Sequence, residues 1–140
     1  MEKRFYLDSC IWRDLLERRS DNIRPLDEFA FQFLKNCRKH NCGVIVSDLV
    51  KSELFRDFSK EKISDLFGAY LDLIVFVEPN GAQARESYLL FKTMPPISRA
   101  DILHAIIARD NNCVLVTRDK HFYELGHIVE SFVPEEVSFS

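Results

Sequence analysis

Four acidic residues, Asp8, Glu53, Asp101 and Asp119, fall where a parallel-sheet protein presents groups to a ligand. Asp8 closes the apolar run "RFYLD" (4–8), and Asp119 follows three residues after the apolar run "CVLV" (113–116). In open parallel sheets the ligand crevice lies beyond the carboxyl ends of the strands, at a reversal of strand order. Asp101 stands at the start of the apolar helix pattern "ADILHAIIARD". Glu53 borders the apolar face that Leu49, Val50 and Leu54 mark on a helical stretch at 48–58. Each acid has an ordinary explanation. Asp8 and Asp119 can cap the helices that follow them, and "SRAD" (98–101) reads as a capping box, at ~1 kcal/mol per cap. Glu53 can snorkel or pair with a cation near Lys51.

Capping does not account for the acids being together. Two carboxylates ~5 Å apart repel by roughly 3 kcal/mol at an effective dielectric near 20. Four on one edge require shared cations, and all-oxygen donors select Mg2+ or Mn2+. Such a site holds metal against phosphate and lowers the pKa of a bound water, which is the chemistry of phosphodiester hydrolysis. The acids are read as caps in geometry and ligands in purpose.

The elements that must position them follow from periodicity. Strands are expected at 4–8, 44–47, 73–77, 113–116 and 127–133. Helices are expected at 9–19, from Pro25 to about residue 41, at 48–58, 61–72, 80–92 and 99–110, with a short one at 120–125. The polar stretch through Asn22 and the pair Pro95-Pro96 read as breaks. Short apolar strands alternating with helices imply a three-layer α/β/α sandwich on a central, mostly parallel five-stranded sheet.

The chain of 140 residues, with 46% hydrophobic residues and 12 phenylalanines, is expected to form one domain, residues 1–140, with a real core. A net charge of −3 excludes binding nucleic acid by bulk charge alone. No apolar run is long enough to span a membrane and no charged-then-apolar leader opens the sequence, so a cytoplasmic protein is expected. The cysteines at 10, 37, 42 and 113 read as reduced thiols. "CRKHNC" groups Cys37, His40 and Cys42, but a zinc site lacks its second knuckle, so the end of a helix is the favoured reading. His104, in an apolar helix, reads as a satisfied core or interface residue, and His121 as a surface one.

The pieces "FYLDSCIW", "VSDLVKSELFRD", "SRADILHAIIARDNNCVLVTRD" and "KHFYEL" resemble the PIN-domain nucleases along nearly the whole chain. The order of acid, "LHAIIA" helix, apolar strand and Thr-Arg-Asp is the most specific part. The resemblance implies metal-dependent endoribonuclease activity on single-stranded RNA, with Asp8, Glu53, Asp101 and Asp119 as the acids and Mg2+ or Mn2+ as cofactor. It also implies the toxin of a toxin–antitoxin pair, often a homodimer inhibited by an antitoxin peptide. Ser9 and Thr117 fall at small polar positions beside the first and last acids, where they would contact a metal water or phosphate; Cys10 departs from the family pattern and is expected in the core.

Rival readings fare worse. A haloacid-dehalogenase phosphatase needs an acid at position 10, where Cys10 stands, and a receiver domain needs an acidic pair at the first strand. A serine hydrolase finds no Gly-x-Ser-x-Gly elbow. An RNA-processing nuclease outside a toxin system, and a PIN-like module that binds RNA or protein without cutting, remain open. Lys51, Arg56, Arg99, Arg118 and Lys120 are the basic residues near the inferred edge, with Arg118 and Lys120 flanking Asp119 as expected phosphate contacts.

Overall fold

The structure, a computed structural model, describes residues 3–18, 24–94 and 96–139. The expectations for residue 19, for the break through Asn22 and for Pro95 lie outside the described residues.

Consecutive strand residues point to opposite faces of a sheet, so a strand buried throughout must be covered on both. That is the pattern of β1 (Arg4–Leu7), where Phe5, Tyr6 and Leu7 are fully buried. β1 is the centre of the sheet. β2 (Gly43–Ser47) and β4 (Cys113–Val116) pair with it on either side, β3 (Ile74–Val77) lies beyond β2, and β5 (Ser131–Phe132) lies beyond β4. Every pairing is parallel, in the order β3-β2-β1-β4-β5. Chain order therefore reverses between β1 and β4, where Leu7 stands opposite Val116.

The connections are helical, as parallel pairing requires. They are α1 (Ser9–Leu16) and α2 (Leu26–Lys39), then α3 (Asp48–Phe55) and α4 (Lys60–Gly68), then α5 (Gly81–Phe91) and α6 (Arg99–Asp110). α1 packs on α2, and α5 on α6. A 3-10 turn, Lys120–Leu125, follows β4, and a second, Pro134–Glu136, follows β5. Just past both α2 and α6 stands an asparagine with positive φ, Asn41 at 55° and Asn112 at 56°, with β2 beginning two residues after the first and β4 directly after the second. Asparagine tolerates this left-handed conformation better than any other residue with a Cβ.

Several expected elements differ in extent, the helices expected at 9–19 and 48–58 among them, which end at Leu16 and Phe55. Pro25 precedes α2 as its N-cap instead of lying inside it. The helix expected at 61–72 stops at Gly68, after which the backbone turns through Tyr70 into β3. The fifth strand is only Ser131–Phe132, because the amides of Ile128 and Val129 bond back to the Leu125 carbonyl and hold the preceding residues in a turn.

Cys37 is fully buried in the core, Cys42 is buried just before β2, and His40 is exposed and stacks on Phe139. No helix among the described residues is long and apolar enough to cross a membrane.

Candidate active site

Asp8 follows β1 directly, and its amide bonds to the Val116 carbonyl of β4 at 3.0 Å. The residue is thereby fixed at the point where strand order reverses. Its carboxylate caps α1, accepting from the Ser9 amide at 2.7 Å. The other oxygen accepts from the Thr117 hydroxyl at 2.9 Å, and that hydroxyl accepts from the Asp119 amide at 3.0 Å. Thr117, buried after β4, thus ties the first acid to the last.

Cys10, expected in the core, is half-buried and lies at this site. Its thiol is 3.3 Å from Asp8 Oδ2, because the turn that Asp8 caps brings residue 10 back over the carboxylate. Burial and the Asp8 charge push the Cys10 thiol up, so it stays protonated and donates.

Asp119 caps the following 3-10 turn, accepting from the His121 amide at 2.9 Å, and its Oδ1 lies 3.2 Å from His121 Nδ1. Asp101 lies in the first turn of α6. Ser98 is the N-cap there, accepting from the Asp101 amide at 3.1 Å. Burial raises the Asp101 pKa, as do the charges of Asp119 and Asp8, against weaker help from Ser98 and His104. Asp8 and Asp119 are therefore close enough for their charges to act on Asp101.

Glu53 is held from three sides. The Arg13 guanidinium donates to its backbone carbonyl at 3.1 Å while pairing with Asp57 at 2.7 Å, which pins α3 to α1. On its carboxylate, Oε1 is 2.9 Å from Nε2 of the fully buried His104. A carboxylate only accepts, so Nε2 carries the proton. The other ring nitrogen, Nδ1, is 2.6 Å from the Tyr6 hydroxyl, itself 2.6 Å from Ser47 Oγ. Ser47 in turn caps α3 by accepting from the Val50 amide at 3.2 Å. A buried chain from β2 through β1 and α6 thus ends on Glu53. Burial would raise the Glu53 pKa, but the hydrogen bond and charge of His104, with Ser9 and Arg56, outweigh it and lower it. Burial would lower that of His104, but its bond to Glu53 and the charges of Asp8, Glu53 and Asp101 raise it.

The acids form two adjoining groups, each completed by a histidine that sequence reasoning had set aside. Asp8, Glu53 and His104 offer ligand atoms within 4.8 Å of one another, and so do Asp101, Asp119 and His121. Tyr6 and His104 were the residues missed as parts of the site. The signal was present: His104 is three residues after Asp101, on the same helix face.

The basic residues divide. Arg118 is 3.2 Å from Asp14 and pairs bidentately with Glu135 at 2.8 and 2.9 Å, so its charge is committed within the chain. Lys51 lies over the Phe76 ring at 4.2 Å, and Arg99 lies against Tyr88 with weak donation to Ala84. The side chains of Lys120 and Arg56 are exposed and make no hydrogen bond or ion pair among the described residues, although the Arg56 charge acts on Glu53. A groove of about 800 Å³ lies elsewhere, between α3, α4 and β3, with Phe55, Leu71 and Phe76 exposed along it.

Comparison with known proteins gives the same architecture. The family model described as PIN domain matches residues 5–128. No curated protein matches the chain. Among solved structures, VapBC2 from Rickettsia felis, bound to a DNA fragment from its promoter, has 18% identity over 93% of this chain and 98% of that one, with a TM-score of 0.67. FitAcB from Neisseria gonorrhoeae has 18% identity over 95% and 99%, with a TM-score of 0.64. Mycobacterium tuberculosis VapC20, described as a toxin that cleaves the sarcin–ricin loop, has 14% identity over 87% and 95%, with a TM-score of 0.64. At these identities the likeness is one of fold.

Proposed function

The chain belongs to the PIN-domain family, and from that premise we propose that it is a metal-dependent endoribonuclease. Its substrate is single-stranded RNA, and it is the toxin of a toxin–antitoxin pair. The observation that carries the reading is the arrangement at the reversal of strand order. Asp8 and Asp119 are joined there through Thr117, and Asp101 is raised by burial and then by the charges of both.

A carboxyl group raised by burial and by its neighbours' charges is relieved by a cation, and the clustered ligand atoms fit one. Oxygen donors from Asp8, Glu53, Asp101 and Asp119 suit Mg2+ or Mn2+. When bound, such an ion polarises a phosphodiester and acidifies water. The protein's own part is to hold the carboxylates still. Ser9 and Thr117 orient Asp8, while His104, backed by Tyr6 and Ser47, keeps Glu53 ionised and aimed. Lys120 and Arg56, whose exposed side chains have no ion pair among the described residues, are the phosphate contacts; Arg118 holds the strand end that carries Asp119.

The toxin assignment draws on the VapBC and FitAB structures of like fold. An antitoxin protein is the expected partner, and a second copy of this chain the expected companion, with cytoplasmic RNA as target. The exposed Phe55, Leu71 and Phe76 supply apolar surface for a protein contact.

The test is cleavage of a panel of single-stranded RNAs with Mg2+ or Mn2+, with and without excess EDTA, by wild type and Asp8→Asn. Cleavage that requires metal and is lost in the variant is expected. Cutting that persists in chelator overturns the metal reading. Metal and RNA binding without cleavage of any RNA would favour a non-catalytic binding module. Growth arrest on expression, relieved by a protein encoded beside it, separates a toxin from an RNA-processing nuclease.

A further inference from the structure

Asp101 and Asp119 belong to the acidic set already described, but the third member of their group is an imidazole. His121 lies in the first turn of the 3-10 segment that Asp119 caps, and a ligand atom of each of the three lies within 4.8 Å of the others. The donors come from two elements, the first turn of α6 and the turn after β4. Their relative placement is fixed at both ends. Ser98 holds the Asp101 amide at 3.1 Å, and Thr117 holds the Asp119 amide at 3.0 Å. Asp119 Oδ1 is occupied by the His121 amide and faces its ring, while Oδ2 is left without a hydrogen bond among the described residues. The His121 side chain is 62% exposed, so a hydrated ion reaches it without displacing any core group.

We propose that His121 is a metal ligand, and that with Asp101 and Asp119 it forms a mixed nitrogen–oxygen subsite that selects Mn2+ over Mg2+. The inference rests on the metal-dependent reading above and sharpens it by distinguishing two ions that carboxylates alone accept about equally. Mg2+ prefers oxygen donors and parts reluctantly with its waters, whereas a first-row transition ion accepts imidazole readily. His104 cannot play the same part without breaking existing bonds, because Nε2 is on Glu53 at 2.9 Å and Nδ1 on the Tyr6 hydroxyl at 2.6 Å. His121 has only Nδ1 engaged, 3.2 Å from Asp119 Oδ1 within the proposed donor set itself, and no such chain behind it.

Pulsed EPR of Mn2+ bound to the wild-type protein reads nitrogen coordination directly, and Mn2+ and Mg2+ titrations read selectivity. Wild type should show nitrogen modulation from one imidazole. His121→Ala, a surface change, should lose it, with Mn2+ affinity falling by ~10-fold or more, the scale seen when a metal site loses a supporting group. Mg2+ affinity should move by less than ~2-fold in the same variant, which also shows that the remaining site is folded. Mn2+ bound by wild type without nitrogen modulation, or equal modulation in His121→Ala, overturns the His121 assignment and leaves the metal reading standing. Failure of wild type to bind either ion removes the metal reading itself.

Discussion

Arg118 pairs at 3.2 Å with Asp14, a carboxylate with only 2% exposure on the helix that Asp8 caps. The same guanidinium grips Glu135 through two hydrogen bonds and lies over the Phe29 ring at 5.9 Å. A residue adjacent to Asp119 is thus locked to α1 and to the turn after β5. Arg118→Ala should cost ~1–3 kcal/mol of stability, since it removes a charge-assisted hydrogen bond to a buried carboxylate and the two-point grip on Glu135. Urea denaturation measures it. Combined with Asp14→Asn the loss should be less than the sum of the two single losses, and strictly additive losses would show that the pair is not coupled.

The outer half of that clamp sets a pH dependence. Burial raises the Glu135 pKa, but the bonds and charge of Arg118 outweigh it and hold the group below its ordinary 4.5. A depressed acid contributes its stability fully above the unfolded-state pKa and loses it as pH falls through the folded value. Wild type should therefore be stabilised relative to Glu135→Gln at pH 6–7, about two units above the ordinary glutamate value. The gap should close as pH drops below about 4. Melting temperatures of the two proteins from pH 3 to 7 give the comparison, and a gap that widens in acid would contradict it.

Much of this architecture was legible because short apolar runs with helices between them allow few arrangements. The strand-end positions of Asp8 and Asp119 followed from the same pattern, since an acid that closes a buried run is a local signal. The roles of Tyr6 and His104 were not local. Each reads as apolar-face filler within its own element, and only the pairing of β1 with β2 and the packing of α6 bring Ser47, Tyr6, His104 and Glu53 into one chain. Arg118 shows the opposite failure. Beside Asp119 in sequence it reads as an RNA contact, but its partners Asp14 and Glu135 are 104 and 17 residues distant along the chain.

The buried chain can be probed from its middle. Tyr6→Phe keeps the ring, which packs edge-on against His104 at 5.6 Å, and removes only the hydroxyl. His104 Nδ1 and Ser47 Oγ then each lose a partner at 2.6 Å. A loss of ~1–3 kcal/mol is expected for buried groups left short of a hydrogen bond. Activity should fall along with stability because Glu53 depends on His104 for its orientation. A variant as stable as wild type would mean that water replaces the hydroxyl.

RNA affinity should depend on salt through the exposed cations. Replacing Arg56 and Lys120 together with Ala should reduce the slope of log K against log salt by ~1.4, at about 0.7 per phosphate contact on a single strand. Arg118→Lys should leave the slope unchanged, because that charge already faces Glu135. Filter binding over a salt series, with a chelator present to prevent cleavage, separates the two. An unchanged slope in the double variant would mean that RNA enters along another edge.

Asp101 poses stability against function most sharply. Burial and the charges of Asp119 and Asp8 raise its pKa above the ordinary 3.8. A raised acid imposes no penalty below its unfolded-state pKa; the penalty grows as pH rises from there through the folded value and then levels off. Asp101→Asn should therefore melt higher than wild type at neutral pH without metal and equally with it near pH 3. The gain should be no more than ~1 kcal/mol, because the half-exposed group is screened by solvent. The α6 cap survives, since Ser98 accepts from the residue 101 amide whatever the side chain. Added Mn2+ should raise the melting temperature of wild type and do so less for the variant, because a ligand that binds only the folded state stabilises by mass action. RNA cleavage should collapse in the same protein. A variant that melts lower without metal yet still cuts RNA would assign Asp101 to the helix end and not to the site.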